Sequence, residues 1–169
     1  MALFSLRSTD IRSDINMGLF LNGNGGGPTS LQIKRTLAPE WAVQSGVQLT
    51  WPHAGTDWAY MLPEVTECYL HLAFEIATRQ TLLIVAPNTE EVRKLIEQRL
   101  PKRATDNIRY YPCATNDTWA RDHGFLTVMT NDGPELLDFR FNGWGGKFEA
   151  SLDNAINAHL VEGEQPVLH

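Results

Sequence analysis

Thr81-Leu82-Leu83-Ile84-Val85-Ala86-Pro87-Asn88-Thr89-Glu90-Glu91 is the stretch on which the fold class turns. Its first six residues are a short, continuous apolar run. Such a run suits a strand covered on both faces better than one with a wet side. Asn88 then offers a side-chain oxygen to the N–H three residues on, and Glu91 stands at the partner position of a capping box. The helix that follows buries Val92, Leu95 and Ile96. It stops at Leu100, because Pro101 disfavours helical geometry in the residue before it. Strands alternating with helices in this way mean an α/β fold.

Working outward, Gly46-Val47-Gln48-Leu49-Thr50-Trp51 alternates and is rich in β-formers, which predicts a strand ending at Pro52. Residues 64–78 carry Val65, Cys68, Tyr69, Leu72, Phe74 and Ile76 mostly at helical spacing. Residues 107–111 read as a third strand. Residues 124–130 and 135–141 flank Asn131-Asp132-Gly133-Pro134, and Asp-Gly between two β-like runs predicts a hairpin. Residues 150–160 form a last helix, with Ser151 as its cap. Residues 1–36 follow neither period, and Asn22-Gly23-Asn24-Gly25-Gly26-Gly27-Pro28 has linker composition. The expected organisation is a disordered or non-native leader (1–36), a folded α/β part (37–161) and an irregular tail (162–169).

Of the 169 residues, 43% are hydrophobic and 20% charged, enough apolar material for a core. The formal net charge of -6 argues against nucleic acid or an anionic membrane as partner and suits a cationic small molecule. Two cysteines, Cys68 and Cys113, are too few for a disulfide scaffold and lack metal-site spacing, which predicts a reduced, cytoplasmic protein. No apolar run approaches the roughly 18 residues that span a bilayer. The five histidines are scattered, so no metal site is expected.

Three segments concentrate residues that are costly in a plain core. Asn116-Asp117-Thr118-Trp119-Ala120-Arg121-Asp122-His123-Gly124 lies between two predicted strands, where open α/β sheets place ligands. A carboxylate accepts the forked N–H pair of a guanidinium, and an indole face attracts the flat cation. The same residues also fit a plain turn, with Asp117 capping backbone N–H groups and Arg121 paired to an acid. In Leu137-Asp138-Phe139-Arg140-Phe141-Asn142-Gly143-Trp144-Gly145-Gly146-Lys147-Phe148, Asp138, Arg140 and Asn142 are expected on one polar strand face. The glycines there let backbone approach a neighbour closely, and they lack P-loop spacing. The third segment runs from Pro39-Glu40-Trp41 through Trp51-Pro52-His53 to Thr56-Asp57-Trp58 and reads equally as a hydrophobic lid. Cys113, with His123 or His53 as base, is the better candidate for covalent chemistry, but nothing in the sequence fixes that geometry. Cys68 is expected on the apolar stripe of its helix.

Together Pro39-Glu40-Trp41, residues 46–53, Trp119-Ala120-Arg121-Asp122 within 116–124, and residues 138–147 resemble the family of agmatine deiminases and Porphyromonas-type peptidyl-arginine deiminases. The resemblance covers about residues 37–161. It implies the pentein fold, an α/β-propeller of ββαβ-type modules, of which this chain supplies only the early ones. It further implies hydrolysis of a guanidinium to a urea with release of ammonia. For agmatine the product is N-carbamoylputrescine, a step of polyamine metabolism. In the family a Cys thiolate attacks the guanidinium carbon, a His moves protons, and carboxylates hold the substrate without metal or cofactor. By motif, Asp122 accepts the guanidinium hydrogen bonds and Trp119 lines the pocket. Arg121, Asn142 and Trp144 shape the site from behind.

The family's His-x-Asp and its Gly-rich cysteine segment lie downstream and do not occur here, so no catalytic residue is assigned. The expected function is that of an agmatine deiminase-like hydrolase whose isolated chain is nearly inactive. The alternatives are a truncated guanidinium-binding module, an inactive gene fragment or a peptidyl-arginine deiminase. A propeller cut partway exposes module edges, which predicts homo-oligomers.

Overall fold

A computed structural model describes residues 2–4, 35–39 and 41–162. Most of the expected leader, Glu40 of the first motif and the tail from residue 163 lie outside the described residues. The leader's two described ends take part in sheets: Ala2–Phe4 (β1) and Thr36–Leu37 (β2).

Gly46–Thr50 (β3), Thr81–Ala86 (β4) and Ile108–Pro112 (β5) run parallel, and β1 pairs antiparallel on the far side of β3. The sheet order is β1-β3-β4-β5. Leu62–Ala77 (α1) crosses from β3 to β4, and Thr89–Arg99 (α2) and Lys102–Thr105 (α3) cross from β4 to β5. The central strand β4 is covered on both faces, as its composition requires. Leu82, Ile84 and Ala86 pack with Leu70, Ala73 and Ala77 of α1 and Val92 and Ile96 of α2. Leu83 and Val85 point the other way, toward Ala120 and Phe125, and toward Ile156 and Leu160. The cap of α2 forms as expected, with Asn88 Oδ1 accepting from Glu91 N–H.

The buried line of α1 is Leu70, Ala73 and Ala77, spaced three and four apart, with the expected Tyr69, Phe74 and Ile76 packed beside it. Cys68 and Leu72, expected on that stripe, are exposed. Sequence order alone favoured the larger side chains; the close approach of α1 to β4 favours the alanines.

The second sheet is antiparallel, in the order β2-β6-β7, and the expected hairpin joins Leu126–Thr130 (β6) to Gly133–Leu137 (β7) through Asn131-Asp132, with Gly133 and Pro134, expected in the turn, opening β7 instead. Gly133, at φ +124, occupies backbone space that favours glycine. The second strand is shorter than expected. Leu126 pairs with Leu137 at the last position of the ladder, and residues 138–142 are not strand. Asp138, Arg140 and Asn142 therefore do not share a strand face. The backbone of Phe141, between Arg140 and Asn142, is captured by the final helix instead. Asn154 Oδ1 accepts from Phe141 N–H, and Asn154 Nδ2 donates to Phe141 O.

Ala120–His123 (α4) is a single turn, Gly143–Gly146 (α5) is another, and Ser151–Glu162 (α6) closes the described chain. Ser151 is the first residue of α6, not its cap. Glu149 Oε1 takes the N–H groups of Ala150 and Ser151, and Asn116 Oδ1 takes those of Leu152 and Asp153. Among the described residues no helix is long and apolar enough to cross a membrane.

Candidate functional site

The strands β3 and β5 both end at the same edge of the sheet, and the segments leaving them carry the site. After β3, Thr56 N–H and Oγ1 both donate to His53 O, closing a tight turn. His53 Nδ1 accepts Gly55 N–H, so its Nε2 carries the proton and donates to Thr115 Oγ1 at 3.0 Å. After β5, Asp117 Oδ1 accepts Thr118 N–H at 2.7 Å, and Trp119 Nε1 donates to Asp117 Oδ2 at 3.1 Å. Trp58 Nε1 donates to Thr118 Oγ1 at 2.8 Å, tying the two segments together. Asp117 thus does cap local backbone, as the plain-turn reading holds, and it fixes the indole of Trp119 as well.

The three segments singled out in the sequence meet through their aromatic rings. Trp58 and Trp119 have centroids 5.9 Å apart, and Trp119 stands edge-on to Trp144 at 5.9 Å. Trp144 in turn is T-shaped to Phe141 at 5.0 Å and Phe148 at 5.6 Å. Trp119 and Trp144 remain 37% and 45% exposed, so these ring surfaces face outward. Such edge-to-face pairs fix ring orientation as well as burying area.

Trp144 reaches this position through a left-handed turn. Gly143, Trp144, Gly145 and Gly146 all have positive φ, from 52 to 83 degrees. A Cβ on Gly143 would sit 2.1 Å from Phe148 O, so only glycine fits there. Holding Trp144 at φ 52 costs about 1–2 kcal/mol. Asn142 Oδ1 steadies the turn by accepting Gly145 N–H. Asn142 and Trp144 therefore shape the aromatic cluster.

Negative charge gathers beside the indoles. The Asp57 carboxyl is held above its ordinary range, chiefly by the charge of Asp117 nearby. Asp153, on α6 beneath the loop, is 2% exposed, and burial pushes its carboxyl up. In α4, Ala120 and His123 are buried while Arg121 and Asp122 are exposed on the outer side of the turn. Asp122 follows Trp119 by three residues, and its N–H bonds to Trp119 O at 2.9 Å. Asp122 is exposed, so it is not enclosed in a closed pocket.

No cysteine–histidine pair assembles among the described residues. Cys113 Sγ donates to Ala114 O and packs against Val85, Ile156 and Leu160, and burial raises its thiol pKa. His123 is buried against Thr50, and His53 is engaged with Thr115. Among the described residues no group of three or more His, Cys, Asp or Glu side chains could hold a metal ion.

The sequence reading passed over Asp153, Asn154 and Asn157 of α6, and the proximity of Asp57 to Asp117. The first three carried a signal. Asp and Asn are poor interior helix residues, because they compete for nearby backbone groups, so three of them within five helical positions call for partners outside the helix.

Residues 36–168 match the family model of the Porphyromonas-type peptidyl-arginine deiminase. The agmatine deiminase of Pseudomonas putida is 30% identical over 136 residues, 75% of this chain and 34% of that one. The agmatine deiminase of C. jejuni, solved as a cysteine-to-serine variant with substrate bound, matches with TM-score 0.70 and 30% identity over 87% of this chain and 39% of that one. A Porphyromonas gingivalis structure assigned as a candidate arginine deiminase matches with TM-score 0.65 and 44% identity over 76% of this chain and 37% of that one. The chain spans about a third of the length of these relatives. Its α/β architecture is accordingly part of the pentein propeller, and the chain belongs to the Porphyromonas-type peptidyl-arginine deiminase family.

Proposed function

We propose that this chain builds the guanidinium-holding side of an agmatine deiminase-type hydrolase, with Asp122 as acceptor for the forked N–H groups and Trp119 as the ring beneath the cation. The observation that carries this reading is the convergence of three distant segments on one aromatic cluster, Trp58–Trp119–Trp144, flanked by carboxylates. Indole faces attract a delocalised planar cation and exclude water from it, and a carboxylate then meets its N–H edge with charge-assisted bonds. The exposed position of Asp122 fits a site whose opposite side belongs to the remaining length of a family member.

The chemistry itself requires a thiolate and a proton-transfer group aimed at the guanidinium carbon. Cys113 does not qualify, being half-buried, raised in pKa and bonded to Ala114 O. The isolated chain is therefore expected to bind rather than hydrolyse. Loss of a covalent nucleophile costs several orders of magnitude in rate. Peptidyl arginine and free arginine share the guanidinium, so the same wall suits them; the agmatine-like wording of the motifs and the two agmatine deiminases named above favour agmatine.

Two measurements on the purified chain test this. Agmatine, but not putrescine, which lacks the guanidinium, should give a saturable heat of binding. Ammonia release from agmatine should stay at the buffer rate. Binding of both amines alike removes the guanidinium reading, and family-like ammonia release removes the assignment of a non-catalytic part.

A further inference from the structure

We infer that α6 is the positioning element of this site, with Asp153, Asn154 and Asn157 each fixing a different loop; the inference rests on the guanidinium reading above. At about 100° per residue the three side chains fall within an arc of about 100° along one side of the helix. The adjoining stripe, Ile156 and Leu160, packs on Val85 and seats the helix on the central sheet. The polar stripe then reaches out to the segments that carry Trp119, Asp122 and Trp144.

Asp153 Oδ1 accepts the N–H groups of Asn116 at 2.8 Å and Asp117 at 3.2 Å. Asn116 answers by capping α6 through Leu152 and Asp153 N–H. This reciprocal clamp sets the loop from which Asp117 holds the Trp119 indole. Asn157 Nδ2 donates to His123 O at 2.9 Å and to Asp138 Oδ1 at 2.7 Å, which ties the turn carrying Asp122 to the chain leaving β7. Asn154 exchanges two hydrogen bonds with the Phe141 backbone, one residue before the turn that presents Trp144, and its Nδ2 also donates to Ala150 O in its own helix.

A helix that served only to cover the sheet would do better with Ala or Leu at these positions. Asp153 and Asn157 are 2% and 1% exposed, so their partners are the reason they are tolerated. The relative placement of Trp119, Asp122 and Trp144 is thus set by one rod, and the three residues act on a ligand through other residues.

The test compares Asp153→Ala with Asp153→Asn, which keeps one acceptor oxygen. The first readout needs no ligand: the Trp119 indole N–H signal in nitrogen-15 NMR, with Trp51 in the core as internal control. In Asp153→Ala the Trp119 signal should move toward that of a free indole and lose exchange protection while Trp51 holds still, and Asp153→Asn should recover most of the change. The second readout is agmatine affinity, expected to fall about tenfold or more in Asp153→Ala and to return in Asp153→Asn, the scale seen when an orienting partner is lost. A Trp119 signal unmoved in a folded Asp153→Ala overturns the inference. So does a lowered melting temperature with unchanged affinity, which marks a role in stability alone. If the unsubstituted chain binds no agmatine, the guanidinium reading fails by itself, and the indole signal still decides the positioning role. Should Asp153→Ala not fold, Asn154→Ala, with the Trp144 indole as reporter, carries the same pair of outcomes.

Discussion

His123 Nε2 lies 3.4 Å from Thr50 Oγ1, in a buried polar contact between α4 and β3 where His123 is 1% exposed. Burial lowers its pKa from the ordinary 6.5 to about 4. The unfolded chain therefore takes up this proton near pH 6.5 and the folded chain only near pH 4. Between those values the unfolded state binds more protons, so the stability present above pH 6.5 is lost as pH falls toward 4. The expected loss from this one group is on the order of 3 kcal/mol. Urea denaturation from pH 7 to pH 4 should show it, and a folded His123→Asn variant should lack that part of the slope. Equal slopes in the two proteins would contradict the account.

The left-handed turn separates two glycines that look alike in sequence. Gly143→Ala would drive a Cβ to 2.1 Å from Phe148 O and should cost several kcal/mol or abolish the turn, roughly the scale at which a mutation becomes diagnostic. Gly145→Ala meets nothing within 4 Å and carries only the penalty of its φ +83, about 1–2 kcal/mol. Chemical denaturation of the two variants should rank them in that order; equal losses would mean the close approach to Phe148 is not maintained in solution.

Ile84, fully buried between α1 and α2, anchors the larger core. Ile84→Ala should cost about 2–5 kcal/mol and Ile84→Val about 0.5–1.5 kcal/mol, since the first leaves a cavity and the second removes one methyl. Removing the α2 cap by Asn88→Ala should cost about 1 kcal/mol. A core loss no larger than the cap loss in equilibrium unfolding would show that this half of the molecule is not tightly packed.

Much of this was legible in advance, and the reasons for the misses are physical. β4 and α2 could be placed because a continuous apolar run and a capping Asn leave few alternatives. The hairpin turn was readable because Asp-Gly constrains backbone dihedrals locally. The end of β7 was not, because Phe141 alternates correctly for a strand and only Asn154, in another element, removes its backbone from the ladder. The stripe of α1 was readable in part: Tyr69, Phe74 and Ile76 pack against the core as expected, while Ala73 and Ala77 were missed because they carry little hydrophobic signal. At the site, residue types pointed to the three segments, but the aromatic contacts among them span up to 61 positions, from Trp58 to Trp119, and no local pattern encodes such a meeting.

Exposed Leu37 (65%), Phe139 (57%) and Leu126 (46%) give the chain apolar surface that water does not favour. The chain alone is expected to self-associate. Sedimentation velocity should reveal species heavier than a monomer that dissociate on dilution. A purely monomeric boundary across the accessible concentration range would remove that expectation.

The central claim is that Asp122 supplies the charge that meets a guanidinium beside Trp119. Isothermal titration of agmatine into the unsubstituted chain and into Asp122→Asn measures it directly. Asn keeps the shape and removes the charge, so affinity should fall by about 1.5–3 kcal/mol, the worth of hydrogen bonds to a charged group. Unchanged affinity in Asp122→Asn would contradict the account.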